Sequence, residues 1–185
     1  PNERTEPDWV LVLADRSASM TIGDGPAGLT REAELRGAFE AFGPTLDDLA
    51  SSRRVEVLGF DAGVFDLERG ASGAIDLGEP GGTRTLLGGA VGAALDRAAA
   101  RPVAGVVILS DGAATDEVGR RALQRLRSER IPVFAVALGS REPAADVSVV
   151  SAEAPAAGFV NDRLPVRVRL ARAGAADGVR DRVVL

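Results

Sequence analysis

The chain lacks four residue types that carry much of protein chemistry. Its 185 residues include no Cys, no His and no Tyr, and there is no Lys, so all 22 basic residues are Arg. Without Cys there is no disulfide, thiolate nucleophile or zinc–thiolate site, and without His there is no Ser-His-Asp triad. Without Lys there is no phosphate-loop lysine and no Schiff base. Carboxylate and hydroxyl chemistry remains, and such oxygens suit hard cations such as Mg²⁺.

Two further absences narrow the class of protein. No apolar run reaches 18 residues, so we expect no direct insertion into a membrane. The net charge is −5 and there is no basic block, which argues against nucleic acid as a partner. Nothing near Pro1 is typical of a signal peptide. We therefore interpret the chain as the soluble portion of a longer protein, and we expect it to be monomeric.

Strand and helix patterns alternate through the first three quarters of the chain. Apolar segments typical of buried strands are "WVLVLA", "RVEVLGF", "AGVVILS" and "IPVFAVALG", and helical spacing is found in "LTREAELRGAFEAF", "TLLGGAVGAALDRAAA" and "DEVGRRALQRLRSER". This order predicts an α/β fold, a Rossmann-like, mostly parallel sheet with helices on both faces. The turn Asp61-Ala62-Gly63 predicts a short antiparallel strand over Val64–Leu67.

The first predicted helix carries its own start and stop signals. Thr30 is a candidate N-cap. The spacing of Leu35, Ala38, Phe39 and Phe42 predicts an inward face, and Gly43-Pro44 predicts a break or kink.

The pattern changes after Gly139. The segments "DVSVVSAEAP", "LPVRVRL" and "RDRVVL" alternate apolar and polar residues with no helix between them, which is typical of a β-sandwich. We therefore predict an α/β domain over residues 1–142, and the start of a second, β-rich domain, a partial sandwich, over residues 143–185.

Oxygen-bearing side chains follow three of the predicted strand and helix junctions. Asp15, Ser17 and Ser19 follow the first strand, Thr85 precedes the second helix, and Asp111 ends the strand "VVILS". Parallel topology brings these segments to the carboxyl edge of the sheet, where ligands of such folds bind. Taken singly, each is an ordinary turn or cap residue. Together they form an all-oxygen set of the kind that Mg²⁺ favours.

At these positions the sequence resembles von Willebrand factor A (vWA) domains. The segment "DRSASM" matches the DxSxS signature, "GGTRTLLGGAV" resembles the segment that supplies the threonine of the family's metal-ion-dependent adhesion site (MIDAS), and "LSDG" resembles the one that supplies its last aspartate. The resemblance covers roughly residues 8–140. It implies direct ligation by Ser17, Ser19 and Thr85, with Asp15 and Asp111 acting largely through water. Thr83 is an alternative to Thr85.

The resemblance also carries expectations beyond the ligands. A helix and strand that usually follow in the family are missing after "VFAVALG", so the sheet is expected to be one strand short. The passage into a β segment resembles bacterial membrane-anchored vWA proteins, in which an immunoglobulin-like domain follows. The resemblance does not indicate on which side of the membrane the domain lies.

The resulting hypothesis is a non-enzymatic, metal-dependent protein-binding module for adhesion or assembly. Mg²⁺ is the favoured ion, with Mn²⁺ and Ca²⁺ left open, and the partner is expected to present an Asp or Glu side chain to it. Two alternatives are a metal-dependent hydrolase using Asp15 or Asp111 as base, and a structural domain with a vestigial site. Without metal, we expect these two carboxylates to face each other with little compensation.

Overall fold

The computed structural model describes residues 7–70, 74–140, 146–155, 157, 163 and 165–173. The chain divides into two compact units, Pro1–Gly139 and Ser140–Leu185. The first unit carries every predicted site residue.

The first unit is built on a five-stranded sheet. The strands are β1 (Trp9–Asp15), β2 (Arg54–Phe60), β3 (Val64–Asp66), β4 (Val103–Ser110) and β5 (Val133–Ala137). Their order across the sheet is β3-β2-β1-β4-β5. β1 pairs in parallel with β2 and β4, β4 pairs in parallel with β5, and only β3 is antiparallel. The predicted α/β class and the predicted hairpin are confirmed.

Three helices cover the two faces of this sheet: α1 (Arg31–Ser52), α2 (Leu87–Arg97) and α3 (Arg120–Ser128). Side chains alternate along β1, as a strand requires. Leu11 and Leu13 pack in a core with α2 and α3, whereas Val10 and Val12 pack in a second core that includes residues of α1. The sheet is thus buried on both sides, which explains the continuous apolar run of its central strand.

Helix α1 departs from the sequence expectation. It continues through Pro44 as one helix of 22 residues, so the predicted break is wrong, while the predicted kink stays a prediction. The proline lies on an exposed stretch, where the carbonyl that loses its helical partner can bond to water instead. Phe42, predicted to face inward, is 46% exposed. The N-terminal prediction agrees with the structure, because the Thr30 hydroxyl accepts a hydrogen bond from Ala33 N.

The β5 end of the sheet is less covered than its sequence predicts. Among the described residues β5 is an edge strand, as expected for a sheet one strand short. Phe134 is 60% exposed and Val133 is 45% exposed.

In the second unit, the described residues form one antiparallel pair, β6 (Asp146–Glu153) with β7 (Arg167–Ala173). The third predicted strand, "RDRVVL", lies outside the described residues. That this unit begins an immunoglobulin-like domain stays a prediction. No helix in the described part of the chain is long and apolar enough to cross a membrane.

Candidate metal centre

The site begins where β1 ends, at a fully buried carboxylate. Asp15 has no solvent-exposed surface. Its Oδ1 accepts hydrogen bonds from Ser17 N at 2.9 Å and from Ser17 Oγ at 2.6 Å. Its Oδ2 accepts one from Ser110 Oγ at 2.6 Å. Both oxygens are thus paired, so the carboxylate is stabilised without a cation, and the expectation of little compensation is wrong for Asp15.

Ser110 was missed as a site residue, and the strand register explains its role. Leu109 of β4 lies opposite Ala14 of β1, so the next residue along each strand falls side by side at the carboxyl edge. Ser110 is 6% exposed, and its Oγ also accepts a hydrogen bond from Gly112 N. It ties the β4 loop to the β1 loop. The sequence did contain a signal for this contact: Ser110 ends one predicted strand and Asp15 directly follows another.

The two serines of the β1 loop lie next to each other. Ser17 Oγ and Ser19 Oγ are 2.9 Å apart, which is a normal hydrogen bond. Neighbouring corners of an Mg²⁺ octahedron with bonds of about 2.1 Å are separated by about 3.0 Å. The Ser17 hydroxyl donates its hydrogen bond to Asp15, so Ser19 is the donor in the serine pair and Ser17 keeps one lone pair for an ion. The oxygen chemistry and the spacing of this pair therefore fit a small divalent cation once the Ser19 hydroxyl hydrogen rotates away, with no shift of the oxygen atoms.

Thr85 is placed at the same edge by backbone hydrogen bonds. Ala18 N donates to Gly82 O at 2.7 Å, and Ser17 and Gly82 form a parallel bridge, so the loop before α2 is held against the serines. Thr85 is 5% exposed, whereas Thr83 is exposed. The Thr85 hydroxyl makes no hydrogen bond within the described residues, and its carbonyl accepts from Thr115 N at 2.9 Å.

Thr85 is not the N-cap of α2, the alternative role considered from the sequence. The N-cap is Leu86, which gives no side-chain hydrogen bond. Asp116 caps the helix instead: its Oδ1 and Oδ2 accept from Gly88 N and Gly89 N at 2.9 and 2.7 Å. The close approach depends on glycine, because a Cβ on Gly88 would lie 2.2 Å from Glu117 O.

Asp111 is held by an arginine that the sequence reasoning did not single out. Its Oδ2 accepts from Arg31 Nη1 at 2.5 Å, and its Oδ1 accepts from Ala113 N at 2.9 Å. Its side chain is 2% exposed. The hydrogen bond with Asp24 raises the pKa of Arg31; burial lowers it, and the charge of Asp111 raises it further. Asp111 is therefore compensated too, by a permanent cation.

A second buried arginine lies behind the β1 loop. Arg16 is 2% exposed and forms an ion pair with Glu32 of α1, and its Nη2 also donates to Gly78 O at 2.9 Å. Glu32 in turn pairs with Arg36 at 2.7 Å. Arg16 Nε has no partner among the described residues. This network joins the β1 loop, between the candidate ligands Asp15 and Ser17, to the first turn of α1.

The candidate centre is a mixed set of hydroxyls and carboxylates. No group of three or more acidic side chains spaced to hold a metal occurs in the described ranges. Any ion at this edge would therefore depend on Ser17, Ser19 and Thr85 as well as the two acids. Asp61, interpreted from the sequence as a hairpin residue, has that role: its Oδ1 accepts from Gly63 N at 3.0 Å.

Fold and site together define an α/β protein with a mostly parallel sheet and with hydroxyl and carboxylate side chains gathered at the carboxyl edge of that sheet. No family model matches the chain, and no curated protein matches it. A crystal structure of an aerotolerance-related membrane protein from Bacteroides fragilis is similar, at 19% sequence identity and a TM-score of 0.47. The similarity covers 90% of this chain and 82% of that one. At this level it says nothing about the site residues.

Proposed function

We propose that the first unit is a non-enzymatic, metal-dependent protein-binding module. Ser17, Ser19 and Thr85 would ligate a divalent cation directly, and Asp15 and Asp111 would act through bound water. The observation that carries the proposal is the serine pair: two hydroxyl oxygens 2.9 Å apart, one of them oriented by a buried carboxylate. A hydrogen-bonded carboxylate behind a ligand is the usual way in which proteins orient such a group.

Mg²⁺ is the ion that this spacing favours. Ca²⁺ bonds of 2.3–2.6 Å would place adjacent corners of an octahedron about 3.3–3.7 Å apart, farther than the two serine oxygens. Mn²⁺ chooses the same hard oxygen ligands and is a practical probe.

The proposed partner presents an Asp or Glu side chain to the ion. Direct ligands that are neutral hydroxyls leave the ion most of its positive charge, and a carboxylate supplies both an oxygen and a negative charge. The rim of the site favours a protein partner, because Ile22 and Leu29 in the loop between β1 and α1 are 42% and 49% exposed. Exposed Arg84 lies next to Thr85 and adds positive charge.

A hydrolase is the less favoured function. A general base needs a carboxylate that is free to take a proton. Asp15 accepts three hydrogen bonds, and Asp111 is paired with Arg31. Neither carboxylate is available without breaking the contacts that hold the loops together.

We further propose that the chain is a piece of a membrane-anchored bacterial protein that acts as a monomer. This rests on the sequence resemblance of its three site segments to vWA domains, and on the β-rich unit that follows the α/β unit.

Calorimetry with Mg²⁺ and Mn²⁺ tests the metal site. Wild type should bind one ion, and Ser19→Ala should lose most of the affinity, because it removes a direct ligand without unpairing Asp15. Ser51→Ala, which removes an exposed hydroxyl from α1, is the matched control. Equal affinities in all three proteins would rule out the proposed ligand set.

A pull-down from a bacterial lysate tests the partner. Binding should be lost in excess chelator, return with Mg²⁺ or Mn²⁺, and fail when the acidic residue of the captured partner becomes Ala. Undiminished capture in chelator would show that the interaction does not use the ion. Metal binding without any partner would favour a structural or vestigial site, and turnover in a phosphatase and esterase panel would favour the hydrolase.

A further inference from the structure

Arg31 lies at the start of α1 and connects the candidate metal centre to a surface loop. Its guanidinium donates to both oxygens of Asp24, from Nε at 2.9 Å and from Nη2 at 2.6 Å. Its remaining nitrogen, Nη1, lies 2.5 Å from Asp111 Oδ2 and 3.4 Å from Ser19 O. One side chain therefore contacts a predicted metal-site carboxylate, the backbone of a predicted ligand, and the loop between β1 and α1.

Arg31 carries the same sign of charge as the ion that the centre would hold, and it already pairs with Asp111. The side chains of Arg31 and Asp111 are 14% and 2% exposed, so water screens their interaction little. A divalent cation near Asp111 would be repelled by the guanidinium, and a metal-bound water would need to share the oxygen that Arg31 already uses. Asp111 Oδ1 already accepts from Ala113 N, which leaves it one lone pair for a metal-bound water.

The surrounding backbone holds the Arg31–Asp24 pair in place. Gly139 follows β5 with a φ of +86°, and a Cβ there would lie 2.7 Å from Arg31 Nε and 2.9 Å from Asp24 Oδ1. On the other side, Arg31 N donates to Ile22 O at 3.0 Å. Because the pair is enclosed, Arg31 cannot turn away from Asp111 without disturbing the loop that carries Asp24.

We propose that Arg31 is an internal competitor of the divalent cation: it lowers the affinity of the centre for the ion and couples ion binding to the order of the loop over residues 22–29. This inference rests on the proposed metal-binding function. Coupling is reciprocal, so if the ordered loop opposes the ion, the ion must loosen the loop. Arg31 acts through Asp111 and is a positioning residue, with no contact to the ion.

Metal affinity is the first test. Titration of Mn²⁺ into Arg31→Gln should give a dissociation constant about tenfold lower than that of wild type, within the range usual for coupled sites. Arg121→Gln removes an arginine that is 92% exposed and should leave the affinity unchanged. Equal or weaker binding by Arg31→Gln, with wild type binding normally, would overturn the competitor role and leave the proposed function standing. Binding by none of the proteins would overturn both.

Loop order is the second test, and its main comparison uses the wild type alone. Hydrogen exchange of the wild type should speed up on adding Mg²⁺ at the amides of Gly25 and Arg31, whose protection comes from bonds to Leu29 O and Ile22 O. Arg31→Gln should exchange fast at these amides with or without the ion. Protection in the wild type that stays constant or rises with Mg²⁺ would contradict the coupling.

Discussion

Replacing Ser110 by Ala tests the contact that joins the two central loops. The change removes the only described donor to Asp15 Oδ2, and it takes away the acceptor of Gly112 N. A hydrogen bond to a charged group contributes about 1.5–3 kcal/mol and a neutral one about 0.5–1.5 kcal/mol. We therefore expect Ser110→Ala to lower the free energy of unfolding by about 2–4 kcal/mol.

The assay can be confined to the first unit. The only Trp of the chain, Trp9, is the first residue of β1. The guanidinium carbon of Arg54 lies 4.8 Å from the centroid of the Trp9 ring. The fluorescence of Trp9 during urea unfolding should report the sheet. The titration is run in chelator, so that stabilisation by a bound ion does not enter.

Ser51→Ala is the control, because it removes an exposed hydroxyl and should change stability by no more than about 0.5 kcal/mol. If Ser110→Ala lowered the free energy of unfolding no more than this control, the hydrogen bond from Ser110 to Asp15 Oδ2 would contribute nothing to stability. The buried carboxylate would then not depend on internal hydrogen bonds for its stability in the absence of metal.

Three further substitutions probe how the loops are held, each followed by the same unfolding assay. Gly82→Ala would place a Cβ 2.2 Å from a neighbouring side-chain Cβ and should cost about 1–3 kcal/mol, whereas Gly81→Ala meets nothing within 4 Å; equal effects would contradict the close approach. Arg16→Met should cost about 3–5 kcal/mol by leaving Glu32 partly uncompensated, and adding Glu32→Met should recover part of that loss; no recovery would show that the ion pair is not the cause. Asp116→Ala should cost about 1 kcal/mol by uncapping α2, and an unchanged midpoint would show that water replaces the cap.

The sequence predicted those parts of the molecule that depend on local pattern. Apolar runs located the strands, and the acidic residues after the runs of β1 and β4 located the carboxyl edge, because both follow from the pattern of the chain itself. Thr30 was recognised as a cap for the same reason. The unbroken passage of α1 through Pro44 was not predictable, since tolerance of a proline depends on whether its helix face meets solvent.

The partners of the charged residues were beyond the reach of the sequence. Arg31 and Asp111 are 80 residues apart, and Arg16 and Gly78 are 62 apart. Nothing in the local spacing distinguishes these arginines from the solvated ones of α3. Ser110 is the intermediate case, because a prediction that β1 and β4 are neighbours would have placed it beside Asp15.

The position of β1 in the middle of the sheet has a consequence for the order in which the protein acquires its structure. Within this sheet β1 is synthesised before the other strands, yet the hydroxyl that pairs with its buried Asp15 comes 95 residues later. Until β4 has been synthesised, β1 exposes an apolar face and a carboxylate with one oxygen that lacks its hydrogen-bond donor. Long-range pairing of this kind slows folding and extends the exposure of apolar surface. Assembly of the site therefore coincides with the pairing of β1 and β4 at the centre of the sheet.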